Sequence, residues 1–298
     1  MRRIPSLVLA ALVGAVGLSA GARAEQDPFA KLIETKATSV VIVKSVIKVA
    51  FQGGGDRESN DTRPATIVDA SGVVMMSHWF PTSMLPRVKV TPLKLQVLFD
   101  GEEKEYDAIL GAVDSKLGLV FVRVKDLGDR KLVPVRFDEP IDVKVGEELC
   151  GITRTDQAFD YAPYYGNAKL VGQVTKPRLS WLVSGFVPLG HPLFLLDGRA
   201  AGIVLRQSGT SEDGASERVT LLPSSAIAPI VVQGVKASAK ALEEAKAHEK
   251  EAAEEAAKGG DGAGKADEPK TDGPTPGEPG MGEPGMGEPG MGEPGMGG

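Results

Sequence analysis

Residues 94–124 read KLQVLFDGEEKEYDAILGAVDSKLGLVFVRV and contain the clearest fold signal of the chain. Two runs rich in Leu, Val and Ile flank Asp100-Gly101, a dipeptide that favours the tight turn of a β-hairpin. The run at 117–124 is almost continuously apolar, which predicts a further strand. This stretch therefore predicts a hairpin followed by a third strand.

Similar short runs, divided by turn residues, continue on both sides of this stretch, between residues 39 and 233. They lie at 39–51, 65–77, 145–153, 168–175, 192–205 and 217–223. Many short strands with little helix predict an all-β barrel or a pair of sandwiches. Residues 53–63 are polar and predict a loop. A short helix is expected after Pro223, with Ser224 or Ser225 as its cap and Pro229 limiting its length.

The chain changes character after residue 235. Residues 236–298 contain no Phe, Tyr or Trp, yet they hold 15 of the 37 glycines and 7 of the 21 prolines. Residues 236–258 are strong helix formers with Leu242 as the only large apolar side chain, which predicts a charged, solvated helical spacer. Residues 259–298 contain four copies of Gly-Glu-Pro-Gly-Met and predict a disordered tail. The core-forming domain is accordingly assigned to residues 25–235.

Composition excludes several classes of function. The net charge of −6 belongs mainly to the tail, which has seven lysines and fourteen Asp or Glu residues, and the chain is not a basic nucleic-acid binder. The sequence has no phosphate-binding loop, no dinucleotide fingerprint and no zinc-protease motif. One cysteine and three histidines leave little material for a metal site. We therefore predict no cofactor and no metal.

Residues 1–24 have the features of a secretory signal peptide. Arg2 and Arg3 precede an apolar segment too short to span a bilayer comfortably, and Ala22-Arg23-Ala24 forms a cleavage signal before Glu25. We expect an extracytoplasmic protein, secreted or periplasmic, with no membrane span after cleavage; the alternative is an uncleaved anchor. Cys150 would then be unpaired in an oxidising compartment, and its apolar surroundings predict a buried, inert thiol.

Five segments together resemble the chymotrypsin-like protease domain of the HtrA (Deg) family. In order along about 195 residues, they are ATIVDASGVVMMSHW (65–79), VLFDGEEKEYDAILGAVDSKLGLVFVRV (97–124), VKVGEELCGI (143–152), VPLGHPLFLLDGRAAGIV (187–204) and VTLLPSSAIAPIV (219–231). The resemblance implies two β-barrels with an active-site cleft between them and a short C-terminal helix. The family usually adds a C-terminal PDZ domain, and here the spacer and repeat tail stand in its place.

The catalytic triad that the resemblance implies is degenerate. Leu189 stands at the position of the nucleophilic serine, and leucine has no atom that can attack a carbonyl. Gly118 stands at the position of the aspartate, where nothing could orient a histidine. Either His78 or Trp79 occupies the histidine position, because a slip of one residue in a strand reverses the side-chain direction. The Gly-rich oxyanion loop keeps only Gly190, so its geometry is expected to have changed.

Other side chains near this site offer a substitute nucleophile or metal ligands. Ser184 is a substitute nucleophile only if the loop is rearranged. Ser77 neighbours His78, but adjacent residues of a strand point to opposite faces. His191 facing His78 across the cleft would make a weak metal site. We therefore predict a secreted pseudo-protease that binds a peptide or protein in its former active site, for which the cleft candidates are Trp79, Phe80, Leu189 and His191. The alternative for Leu189, Trp79 and Phe80 is that they fill the vacated active site as core. The alternatives are an active serine endopeptidase with an unusual site and an envelope protein acting through its tail. The ligand and the oligomeric state stay open.

Overall fold

The structure is a computed structural model that describes residues 27–258, except residues 140, 177, 212 and 213; the side chains of 208–216 and 256–258 are not described. The predicted signal peptide at 1–24 and the predicted tail at 259–298 lie outside the described residues. Two α-helices, three short 3₁₀-helices and twelve strands are found within them. None of the described helices is long and apolar enough to cross a membrane.

The strands form two closed antiparallel barrels of six strands each, so the predicted all-β double barrel is confirmed. The first barrel has the order β1-β2-β3-β6-β5-β4 and consists of β1 (Val40–Phe51), β2 (Asp56–Asp69), β3 (Val73–Ser77), β4 (Val88–Leu98), β5 (Glu105–Asp114) and β6 (Leu119–Val124). The second has the order β10-β11-β12-β9-β8-β7 and consists of β7 (Glu148–Arg154), β8 (Pro163–Val174), β9 (Ser180–Gly185), β10 (Pro192–Leu195), β11 (Ala200–Ser211) and β12 (Gly214–Pro223).

The Asp100-Gly101 turn joins β4 to β5 as predicted. Both residues have positive φ, 53° and 73°, which is the type I′ pattern that matches strand twist. The prediction of a loop at 53–63 is wrong from Asp56 onward, because residues 56–63 pair with β1 as the first half of β2. Most of these side chains are exposed, so the strand needs no apolar alternation there.

A shared core joins the two barrels. Buried apolar side chains of both pack in one cluster, among them Val40, Met75, Phe121, Cys150, Phe194 and Ile203. Helix α1 (Pro28–Lys36), which the sequence analysis did not assign, begins after the capping residue Asp27 and adds Leu32 to this cluster. Cys150 is a buried free thiol, as expected, and burial raises its pKa to about 11. A thiol with such a pKa forms little reactive thiolate.

The C-terminal helix is longer than predicted. Helix α2 (Ser224–Lys258) continues through Pro229, which removes a single backbone hydrogen bond near the helix start. The expected spacer is the second half of this helix, and part of it packs: Ser238 and Leu242 are buried. Ser238 lies so close to Gly111 of β5 that a Cβ there would meet its Oγ. Small residues on both elements allow this approach, and the pattern of large apolar side chains does not predict it.

Helix α2 crosses a boundary in the chain. The compact unit that contains both barrels ends at Glu251, and a second unit begins at Ala252. In the first unit the helix is held at its far end by an ion pair between Lys125 and Glu249. Within the second unit the structure describes only the last turns of the helix, residues 252–258.

Candidate functional site: a cleft between two barrels

A cleft of about 230 Å³ lies between the two barrels. The first barrel contributes one residue of β2, the end of β3, the residues that follow β3 and the turn before β6. The second barrel contributes the loop before β10 and part of β11. The lining residues are Arg63, Ser77, His78, Trp79, Phe80, Pro81, Thr82, Leu117, Gly118, Leu189, Gly190, Val204, Leu205 and Arg206. The cleft thus brings together His78, Trp79, Gly118 and Leu189, which lie up to 111 positions apart in the chain (residues 78 and 189).

His78 directly follows β3 and is half-buried. Its backbone N–H donates to the Gly118 carbonyl over 2.7 Å. The Phe80 backbone N–H donates to the ring nitrogen Nδ1 over 3.1 Å, and the Phe80 carbonyl oxygen lies 3.3 Å from the same atom. Burial lowers the pKa of His78, and the Arg63 guanidinium lowers it further against the opposing effect of the Phe80 carbonyl. The lowered pKa favours the neutral ring.

Trp79 borders the cleft but belongs to the core of the first barrel. Its side chain is buried, and the indole N–H donates to Ser45 Oγ over 3.0 Å. Its neighbours in that core include Val43 and Val122. The two candidate histidine positions therefore have different surroundings. His78 is the more exposed of the two, and Trp79 has its polar atom satisfied inside the barrel.

Gly118 occupies a tight turn between β5 and β6. The Asp114 carboxylate accepts the backbone N–H groups of Lys116 and Leu117, over 3.0 and 2.9 Å, and forms this turn. Gly118 has φ of +65°, and a Cβ on it would lie 2.9 Å from Thr82 Cγ2. Both the positive φ and the close contact favour glycine. Among the described residues that line the cleft, none has a carboxylate.

The loop that carries Leu189 is locked onto both barrels. The partly buried Leu189 side chain packs against the core of the second barrel. Gly190 has φ of +80°, donates its N–H to the Val204 carbonyl over 2.8 Å, and lies so close to Ser77 that a Cβ would approach the Ser77 backbone nitrogen to 2.5 Å. A glycine is thus required at position 190 by a close contact between the barrels.

His191 lies apart from the other cleft candidates. Only 2% of its surface is exposed, and it is not among the residues that line the cleft. Its Nδ1 atom lies 3.5 Å from Thr66 Oγ1 of the first barrel. Burial lowers the pKa of His191 to about 4, against a weaker opposing effect of the Pro64 backbone. His191 is therefore a neutral side chain buried against the first barrel. The described residues contain no group of three potential metal ligands.

The two serines weighed as substitute nucleophiles are placed differently. Ser184 is an exposed residue of β9, paired with Lys169, and does not line the cleft. Ser77 lines the cleft at the end of β3, next to Gly190. Because Ser77 and His78 are adjacent in the chain and Nδ1 of His78 faces the Phe80 backbone, the pair lacks the third group that orients a catalytic histidine.

Two arginines of the cleft were missed by the sequence analysis. The Arg63 guanidinium donates to the carbonyl oxygens of His78 and Trp79, over 3.0 and 3.1 Å, and to the Asp61 carboxylate over 2.7 Å. It therefore fixes the backbone that presents His78. Arg206 lines the cleft from β11 and pairs with Glu217 over 3.4 Å. Arg63 falls in the segment taken for a loop, and only its strand pairing reveals where it lies.

Two closed six-stranded antiparallel barrels with a cleft between them define a chymotrypsin-like, protease-type fold. Comparison with protein-family models finds no match, and comparison with curated proteins finds none either. Among solved structures, the chain is similar to Rv3671c from M. tuberculosis H37Rv, in a crystal structure of the inactive form of a serine-to-alanine mutant. The identity is 15% and the TM-score 0.43, and the match covers 68% of this chain and 89% of that chain.

Proposed function

We propose that this protein is a secreted, catalytically inactive homologue of HtrA-like serine proteases that binds an extended peptide or protein segment in its cleft. The observation that carries the proposal is the meeting of His78, Gly118 and Leu189 around one cleft without a hydroxyl or a carboxylate at the triad positions. Serine-protease chemistry needs a nucleophile, a base and a group that orients the base. Two of these three are absent from the proposed positions.

The surroundings of His78 support the loss of catalysis. A triad histidine donates from Nδ1 to a carboxylate and takes the serine proton on Nε2. In His78, Nδ1 lies beside the backbone N–H and the carbonyl oxygen of Phe80, at 3.1 and 3.3 Å. These backbone groups carry no full charge that could stabilise an imidazolium. Restoring a hydroxyl at position 189 is therefore not expected to restore hydrolysis.

The backbone of β11 supports peptide binding. Val204 donates its N–H to the His191 carbonyl over 2.9 Å and accepts the Gly190 N–H, so its backbone groups point away from β12. Residues two positions apart in a strand direct their backbone groups to the same side. The N–H and C=O of Arg206 thus point toward the cleft side of β11. A strand edge of this kind can pair with an extended peptide, while Leu189 and Phe80 offer apolar contacts.

A fluorophosphonate probe tests the loss of catalysis on the full chain. We expect no labelling of the native protein or of the Leu189→Ser variant, with chymotrypsin labelled in parallel as the positive control. Covalent labelling of any serine in the native chain would overturn the proposed inactivity. Labelling of Leu189→Ser alone would show that His78 still serves as a base and would contradict its loss of catalytic function.

Selection of peptides tests the binding role. We expect the full chain to enrich sequences from a phage-displayed library of random heptapeptides, and Leu189→Arg to abolish that enrichment by filling the cleft. Leu179→Arg is the matched control, because Leu179 is an exposed leucine that does not line the cleft. No enrichment, or enrichment that survives Leu189→Arg, would refute cleft binding.

The proposed secretion rests on residues 1–24 alone. Expression of the full chain in a Gram-negative bacterium should yield a periplasmic protein whose N-terminal residue is Glu25. A protein that keeps its first 24 residues and stays in the cytoplasm or the membrane fraction would contradict this part of the proposal.

A further inference from the structure

The charges on the cleft are all of one sign. Among the described residues that line it, Arg63 and Arg206 are the only Lys, Arg, Asp or Glu residues. Their partners, Asp61 and Glu217, are not part of the lining. The two guanidinium groups reach the cleft from different barrels, since Arg63 belongs to β2 and Arg206 to β11. A molecule in the cleft therefore meets positive groups from both barrels.

Arg63 contributes a fixed positive charge. Three of its N–H groups are used by Asp61 and by the carbonyl oxygens of His78 and Trp79, and a guanidinium has five. The Arg63 charge also acts on the cleft, because it helps to lower the pKa of His78. The side chain holds the site together and cannot be replaced without disturbing its backbone.

Arg206 contributes a charge that a ligand can recruit. Its side chain is 42% exposed, and it pairs with Glu217 over the long distance of 3.4 Å. Such pairs contribute little because water competes with them. A carboxylate that approaches along β11 can therefore bond to Arg206 without breaking a strong interaction. Leu189, Leu205 and Phe80 border the cleft and lower the local dielectric, which strengthens that attraction.

We propose that the cleft selects peptides that place a carboxylate beside Arg206, within the field of Arg63. This inference rests on the proposed peptide-binding function and names its ligand class. The carboxylate comes from an acidic side chain or from the C-terminus of the peptide, since either group makes the same paired hydrogen bonds with a guanidinium.

Synthetic peptides test this selectivity on the full chain. A heptapeptide enriched from the phage library is labelled with fluorescein at its N-terminus. It is prepared in three forms, namely unchanged, with every Asp and Glu replaced by Asn and Gln, and with an amidated C-terminus. Affinities are measured by fluorescence anisotropy. We expect the form that lacks the recognised carboxylate to bind about fivefold more weakly than the unchanged peptide. A loss with the Asn and Gln form identifies an acidic side chain, and a loss with the amidated form identifies the C-terminus.

Variants assign the effect to Arg206. Arg206→Met is expected to weaken the unchanged peptide about fivefold and to leave the form lacking the carboxylate unaffected. Arg206→Glu is expected to weaken it about tenfold or more, because like charges then face each other. Arg136→Met is the matched control, since Arg136 is exposed, pairs with Asp138 and does not line the cleft.

The outcomes separate this inference from the function on which it rests. Peptides that bind in a Leu189-dependent manner, without preference for a carboxylate or sensitivity to Arg206→Met, overturn the selectivity and leave cleft binding intact. Peptides that bind equally well to Leu189→Arg, or no enriched peptides at all, overturn the proposed function and the selectivity together.

Discussion

The interface between the barrels is closed around Arg154 and open at the cleft. Arg154 of β7 reaches into the first barrel with only 4% of its side chain exposed. Its guanidinium donates to the carbonyl oxygens of Val40, Ala37 and Tyr161 and lies 3.5 Å from the Asp100 carboxylate. Arg206 of β11 is 42% exposed and pairs with Glu217 over 3.4 Å.

The contrast shows how the same side chain serves two purposes. A buried guanidinium with its donors satisfied by backbone oxygens locks two barrels together, because removing it would strand those oxygens away from water. An arginine at the surface of a cleft keeps donors for a ligand. Arg154 thus ties the second barrel to the first, and Arg206 borders the open cleft.

The largest expected effect comes from breaking the contact between the barrels at Arg154. Arg154→Met removes the guanidinium from three buried carbonyl oxygens and from Asp100, and should lower the free energy of unfolding by about 3 to 5 kcal/mol. Urea denaturation followed by tryptophan fluorescence measures the loss. The exposed Arg136→Met variant should change stability by less than about 0.5 kcal/mol. A loss of similar size in both variants would contradict the role given to Arg154.

His191 offers a second test of the buried contact between the barrels, through the pH dependence of the free energy of unfolding. Its pKa is about 4 in the folded protein and about 6.5 when unfolded. Between these values the unfolded chain binds the extra proton, so the free energy of unfolding falls as the pH drops from about 6.5 to 4, by up to about 3 kcal/mol. Above pH 6.5 the residue has no effect of this kind.

The measurement is a series of urea titrations across this pH range. His191→Gln should remove most of the pH dependence, whereas His78→Gln should leave most of it, since His78 is only half-buried. An unchanged slope in His191→Gln would show that the imidazole is not buried in the way described.

The smallest expected effect comes from Trp79. It tests whether this side chain belongs to the core of the first barrel or to the surface that contacts a ligand. Trp79→Phe loses the indole hydrogen bond to Ser45 and should cost about 1 kcal/mol of stability. Peptide affinity should stay within about twofold of the native value, because the side chain is buried in the first barrel. Ser45→Ala should cost a similar amount, and the double variant should be less than additive. A large loss of affinity would instead place Trp79 in the ligand contact.

Much of the fold is readable from the sequence because it is local. The Asp100-Gly101 turn and the alternating runs around it predict strands, and the order of segments along 65–231 predicts the double barrel. Polar strands are the exception. Residues 56–63 pair with β1 through backbone groups alone, so their side chains carry no apolar pattern. Both parts of helix α2 are predicted as helical, but its packing is missed for a related reason, since the close approach of Gly111 and Ser238 depends on small residues.

The candidate site divides in the same way. Leu189 and Gly118 are identifiable from the sequence as positions without catalytic atoms, because the absence of a hydroxyl or a carboxylate is a property of the residue itself. The choice between His78 and Trp79 depends on which side chain faces the barrel interior, and that is decided by packing around Ser45. His191 was expected beside the cleft, but it lies buried against Thr66, where the loop before β10 meets the first barrel.

The sequence by itself determined the chemistry that is present: an all-β domain, a leucine at position 189 and a glycine at position 118, and a charged segment after residue 235. Only the tertiary structure decided which charges act where. The sequence alone does not distinguish Arg63, Arg154 and Arg206, because every arginine side chain has the same hydrogen-bond donors. Burial and the oxygens that each guanidinium meets make one a support of the His78 backbone, one a lock between barrels and one a group open to a ligand. Those surroundings come from residues that are distant in the chain and meet only when both barrels close.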